Sequence, residues 1–266
     1  MHLSSLYRFP LKSAMGESLP VLQLDGLGVV GDRRWMLASE ENGRFLTQRT
    51  FPQMSRLRAR WNQAGGLTLE APDRPALEVA LPDPDEALRG VIIWRDAMRV
   101  PDAGDEAAAW ASEFIGKPCR LVHVPEQRAR YIEGNVSGDE KVGFADGFPL
   151  LLIGQASLDD LATRVGRPLE MLRFRPNLVV QGSEPYAEDS WKRIRIGDVE
   201  FTLAKPCSRC IITTIDPQTG ERSADREPLT TLRSYRQREG EILFGQNLIN
   251  HTSGELHVGM PVEVLA

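Results

Sequence analysis

Cys207 and Cys210, with Ser208 and Arg209 between them, are the side chains best suited to chemistry in this sequence. An ionised thiol can serve as a nucleophile, a redox partner or a soft-metal ligand, and a neighbouring guanidinium favours the thiolate. Arg209 is such a neighbour for Cys210. The flanking composition predicts how the pair is held. Residues 199–204 alternate apolar and polar and read as a strand, which Pro206 is expected to end by removing a ladder donor. Residues 211–215, Ile-Ile-Thr-Thr-Ile, are all β-branched and read as a second strand, closed by a turn at Asp216-Pro-Gln-Thr-Gly220. The cysteines therefore belong on a tight connection between two strands.

Two familiar uses of a C-x-x-C pair fit poorly. Structural zinc needs four ligands, and the only other candidates are Cys119 and the histidines His2, His123, His251 and His257, which show no ligand spacing. Thioredoxin-like exchange puts the pair at the opening of a helix, whereas a β-branched run follows here.

The elements that must position the pair are mostly short strands. They are expected at 3–9, 21–24, 33–38, 44–48, 54–61, 67–70, 76–81, 91–94, 119–124, 178–180, 193–196, 241–244 and 257–265. Asn42-Gly43 is a hairpin signal between 33–38 and 44–48. Asp105 is placed to cap one helix, ended by Gly116, and Ser157 a second, ended by Gly166. This pattern predicts a mostly β protein with a few helices, of α+β type, its strands arranged as barrels or sandwiches.

A chain of 266 residues is enough for one large domain or two modest ones. A net charge of −5 argues against a general binder of nucleic acid or anionic membrane, while leaving room for a local basic pocket. Three cysteines, an odd number, suit a reducing compartment, and no apolar run approaches a membrane span. The expected location is the cytoplasm.

The motif around the cysteines extends further. Residues 206–221 (PCSRCIITTIDPQTGE), 227–236 (EPLTTLRSYR) and 244–247 (FGQN) together resemble the MOSC family, the molybdenum cofactor sulfurase C-terminal domain. The resemblance is to the branch with its own N-terminal β-barrel, which includes amidoxime-reducing proteins and reductases of N-hydroxylated bases, and it covers nearly the whole chain. It implies a barrel-like domain over 1–118 packed on a MOSC barrel with flanking helices over 119–266. It also implies the molybdenum cofactor (a molybdopterin), with Cys210 as the molybdenum ligand and catalytic centre.

The same resemblance carries over the cofactor contacts residue by residue. Lys12 and Ser13 match a pair on the pterin phosphate, and Arg33 matches a cofactor-binding arginine, with Arg34 expected to point the other way along a strand. Arg175 and Asn177 match a run brought to the cofactor on an extended segment, where positions 173, 175 and 177 would share one face. Asp146, Gly147, Phe148, Ser208, Arg209, Gln246 and Asn247 match further pocket positions. The implied reaction is reduction of small N-hydroxylated substrates. Related bacterial chains often carry a cysteine-rich iron–sulfur extension, but no cysteine follows Cys210 here, so a separate electron-transfer protein of ferredoxin or flavoprotein type is expected. The residues alone leave two other classes open: a carrier of cofactor or sulfur, and a thiol-redox protein using Cys207 with Cys210.

Overall fold

The computed structural model describes residues 1–132 and 140–266. Its centre is a nine-stranded sheet. In spatial order the path runs Glu17–Leu19, His2–Arg8, Leu178–Gln181, Leu150–Gly154, Glu241–Asn250, Val199–Ser208, Arg193–Ile196 and Val262–Val264, with Gln237–Arg238 paired beside Glu241. Every pairing is antiparallel except Leu150–Gly154 with Leu178–Gln181. A parallel pair needs a crossover, and the helix Gln155–Val165 lies in it.

The Leu150–Gly154 strand shows why this sheet is a core element. Leu150 and Leu152 enter one apolar cluster with Leu178 and Val180, while Leu151 and Ile153 enter another with Val179, Phe174 and Phe244. A strand buried on both faces reads as a continuous apolar run. It has no period-two signal, so it is missing from the expected set.

Strand pairing crosses residue 118 in several places. His2–Arg8 lies between Glu17–Leu19 and Leu178–Gln181, Val21–Asp25 pairs with Gly254–His257, and Trp35–Ser39 pairs with Cys119–His123. A three-stranded sheet (Arg58–Trp61, Leu67–Glu70, Leu77–Val79) and a hairpin (Leu88–Ile93, Asp96–Pro101) complete the N-terminal part. The protein is mostly β, as expected, and among the described residues no sheet closes on itself into a ring.

Several local expectations are corrected. Pro206 does not end its strand, which runs Val199–Ser208; irregularities in register on both sides of Pro206 let the ladder step past the missing donor. Residues 211–215 are not a strand but contain a 3-10 turn, Ile211–Thr214. There Thr213 and Thr214 donate their hydroxyls back to the carbonyls of Cys210 (3.0 Å) and Ile211 (2.7 Å), a local bond that outcompetes β propensity.

Arg33 precedes its strand, which is Trp35–Ser39, and 44–48 makes only isolated bridges. Residues 54–61 split into a 3-10 turn, Pro52–Arg56, and the strand Arg58–Trp61, and 257–265 splits between two sheets. Ser157 is no cap: its helix starts at Gln155, and its buried hydroxyl donates to Glu188. Gly116 and Gly166 do end their helices, both with left-handed backbone.

Candidate active site

Cys207 and Ser208 are near the end and at the end of the Val199–Ser208 strand, and Cys210 lies just before the 3-10 turn. The backbone N–H of Arg209 donates to the carbonyl of Ile242 at 2.7 Å, which fixes the turn between the two cysteines. The guanidinium then reaches the wrong thiol for the sequence-based expectation. Arg209 Nη1 lies 3.2 Å from Cys207 Sγ, and its Nη2 donates to the carbonyl of Phe174 at 2.9 Å. Burial pushes the Cys207 thiol up from its ordinary value, with Arg209 opposing the shift.

The cation at Cys210 is Arg49, whose Nη2 lies 3.4 Å from Sγ. Sequence reasoning missed it. Arg49 lies 161 positions from Cys210, and nothing in its neighbourhood, Thr47-Gln-Arg-Thr50, carries a spacing signal.

Cys210 is half-buried on a cavity of about 140 Å³. Ser208 and Arg209 share the wall with it, as do Lys12, Ser13 and Arg33 from the N-terminal part. Asp146, Gly147 and Phe148 enter from the segment before Leu150–Gly154, and Arg175 and Asn247 complete the expected set.

Two expected residues lie elsewhere. Gln246 is buried and donates to Asp189 Oδ1 at 2.7 Å, because adjacent residues on a strand face opposite ways and Asn247 takes the cavity side. Asn177 is fully buried beneath the site. Its Oδ1 accepts from Arg33 Nη1 (3.0 Å) and the N–H of Leu151 (3.2 Å), and its Nδ2 donates to Asp32 Oδ1 and the carbonyl of Tyr7, both at 3.1 Å. It orients a cavity arginine instead of lining the cavity.

Three cavity residues have left-handed backbone: Ser13 (φ 64°), Arg33 (φ 45°) and Arg175 (φ 57°). This corrects the expected extended run at 173–177, where Met171–Phe174 is a 3-10 turn. Such a conformation costs roughly 1 kcal/mol or more per non-glycine residue and persists only where neighbours over-determine it. They do so here. The N–H of Arg33 donates to Phe9 (2.7 Å), its Nη2 donates to the carbonyl of Arg175 (2.9 Å), and both guanidinium groups lie over the Phe9 ring at 4.6 and 4.3 Å. Arg34 turns away to Asp25, its Nη2 reaching both carboxylate oxygens.

Lys12 is buried, and its Nζ donates to the carbonyl of Phe144 (2.7 Å) and to Asp146 Oδ1 (2.5 Å). Burial lowers its pKa from the ordinary 10.5 to about 8, although Asp146 pulls the other way. Burial alone would raise Asp146, but Lys12 and the neighbouring arginines hold it well below the usual carboxylate range.

The sign of the resulting pH effect follows. Between about pH 8 and 10.5 the folded lysine is neutral and the unfolded one charged, so this group's contribution to stability rises with pH across that window. Its attraction for an anion runs the opposite way. Binding of inorganic pyrophosphate, measured calorimetrically, is expected to weaken by up to about tenfold from pH 7 to 9 as Lys12 discharges. Lys12→Met should bind weakly throughout and lose that slope.

Residues 1–118 match the family described as the MOSC N-terminal beta barrel domain, and residues 139–263 match the MOSC domain. This chain belongs to the MOSC family. It is 34% identical to mitochondrial amidoxime-reducing component 1 of Mus musculus and 33% identical to that of Homo sapiens, in each case over 99% of this chain and 82% of the relative. It is also 34% identical to a molybdenum cofactor sulfurase of Oryza sativa subsp. japonica over 92% of this chain, but it spans only 32% of that longer protein.

The residues of this MOSC chain suit a polyanionic group bearing a soft metal. Lys12, Arg33, Arg49, Arg173, Arg175 and Arg209 all line the cavity, against the single carboxylate of Asp146 among the described residues. Among the described residues Arg173 Nε, Arg175 Nη2 and Arg209 Nε are buried donors with no protein partner. A buried charged donor without a partner is costly unless a ligand meets it. Burial and Arg33 push the Arg175 pKa down to about 9, which leaves it charged at neutral pH. Arg173 Nη1 and Nη2 are occupied, donating to the carbonyl of Ile215 and to Asp216, and so fasten the 3-10 turn beside Cys210. Among the described residues no three His, Cys, Asp or Glu side chains gather to hold a metal, and no helix is long and apolar enough to cross a membrane.

Proposed function

We propose that this MOSC protein is a molybdenum-cofactor-dependent reductase of N-hydroxylated compounds such as amidoximes. The observation that carries the reading is a half-buried thiol, Cys210, on a cavity rich in cations, three of whose arginines keep a buried donor unpaired among the described residues. The names of the amidoxime-reducing relatives, matched over nearly the whole chain, support the substrate class.

When bound, the cofactor supplies the two-electron chemistry that removes oxygen from nitrogen. The chain supplies the rest. Cys210 Sγ offers the soft ligand, with the Arg49 guanidinium 3.4 Å away. Lys12 and Ser13 bind the phosphate end, and Arg33 and Arg175 offset the remaining anionic charge. Ser208, Arg209 and Asn247 would donate hydrogen bonds to the cofactor, while Asp146, Gly147 and Phe148 line the same cavity, with Lys205 over the Phe148 ring at 5.4 Å.

Electrons reach the site from a separate ferredoxin- or flavoprotein-type donor. Three free cysteines support a reducing, cytoplasmic setting. The test is metal analysis with turnover, using protein from a host that makes the cofactor. About one molybdenum per chain is expected, with amidoxime reduction driven by reduced viologen but not by NADH alone. Stoichiometric zinc without molybdenum would sink the reading.

A further inference from the structure

Trp94 differs from the other tryptophans. Trp35, Trp110 and Trp191 are buried and Trp61 is half-buried, whereas Trp94 leaves 42% of its surface exposed. It occupies the turn between Leu88–Ile93 and Asp96–Pro101 with φ 54°, where two-residue hairpin turns favour asparagine or glycine. A bulky aromatic in left-handed backbone is an outlier, and such outliers concentrate at functional sites.

The side chain is nonetheless well held. Its Nε1 donates to Asp146 Oδ1 at 3.3 Å, its ring tilts against Phe45 at 5.0 Å, and the Arg49 guanidinium lies over it at 4.8 Å. Arg49 and Asp146 both line the cavity, and Arg49 also reaches Cys210. A fixed, exposed indole therefore packs on two cavity residues, Arg49 and Asp146, the first of which also reaches the thiol.

We propose that Trp94, braced by Arg49 and Asp146, is an aromatic wall that orients substrates and favours N-hydroxylated groups carried on a flat π system over those on saturated carbon. The proposal rests on the reductase reading and names the substrate class within it. An aryl amidoxime is planar through the reacting group and gains ring-on-ring contact with the indole, whereas an alkyl amidoxime of similar polarity has no ring to place there. A braced ring loses little freedom on binding, so the contact appears as affinity.

The test uses Trp94→Asn, which deletes the ring while suiting the left-handed turn, beside Trp94→Phe, which keeps a ring. With cofactor-loaded protein and reduced viologen, Trp94→Asn is expected to raise KM for benzamidoxime about tenfold more than KM for acetamidoxime. The effect on kcat should be smaller than that on KM, and Trp94→Phe should recover most of the loss. Equal losses for the two substrates, or none, would overturn the proposal.

A second readout needs no turnover. Benzamide should quench the part of the fluorescence that Trp94→Phe removes, and acetamide at the same concentration should not. Absence of that difference also overturns the wall. Selective quenching in a protein that reduces neither amidoxime would sink the reductase reading and leave the aromatic wall standing.

Discussion

Cys210→Ser is expected to abolish amidoxime reduction, with loss exceeding the roughly 100-fold typical of removing a group that merely supports a metal ligand. Serine keeps the size but replaces a soft, ionisable sulfur with a hard hydroxyl that stays protonated, so soft-metal ligation fails even though the hydroxyl can still accept from Arg49. Cys207→Ser should retain a substantial part of the activity. Cys207 packs partly against the core around Phe174 and Phe244 and contacts Arg209, and its loss should cost about 1 kcal/mol of stability. Turnover with reduced viologen and molybdenum content, measured side by side, separate the two variants. Equal damage would mean that the cysteines act as a pair and would favour thiol-redox chemistry.

Asn177→Leu should be the most destabilising single change near the site, by about 3–5 kcal/mol. The amide uses both ends at once, and its removal strands the N–H of Leu151, the carbonyl of Tyr7 and one bond from the Arg33 guanidinium. Asn177→Asp is the sharper probe. It keeps an acceptor for Arg33 but turns a second oxygen toward Asp32 Oδ1 and the Tyr7 carbonyl, where two donor bonds were made. Repulsion should destabilise that variant at neutral pH and ease as the pH falls and the new carboxyl takes a proton. Thermal unfolding of both variants from pH 5 to 8 checks the difference; identical pH profiles would show that Asn177 does not work through its amide.

The site was legible in sequence where a residue's type and its immediate neighbours decide its place. Cys210, Lys12, Ser13 and Arg33 are carried to the cavity by short segments whose motifs could be matched. Direction was harder to read. Gln246 and Asn247 are adjacent on one strand, and only the sheet's register decides which faces the cavity. Asn177 has the right chemistry for a ligand contact but is buried a layer below. Arg49 and Trp94 were illegible because their value lies in where packing of the N-terminal part puts them, far in sequence from Cys210 and Asp146. The fold shows the same division. Helix ends with glycine were readable, whereas the run at 211–215 was misread because threonine hydroxyls and Arg173 override local β preference.

The place of His2–Arg8 inside the large sheet has a consequence for how the protein is made. Ser4 hydrogen-bonds Val179, 175 positions later, and His2 bridges to Pro261. Of the strands flanking His2–Arg8, only Glu17–Leu19 is synthesised soon after it. The segment therefore leaves the ribosome with one side unpaired and stays so until most of the chain has followed. Closure over so long a loop is slow, and an open strand edge invites pairing with other chains in the meantime. Lys12 and Ser13, which follow that strand directly, cannot take their places until it docks, and the cavity they line cannot be complete before Asn247 has been made.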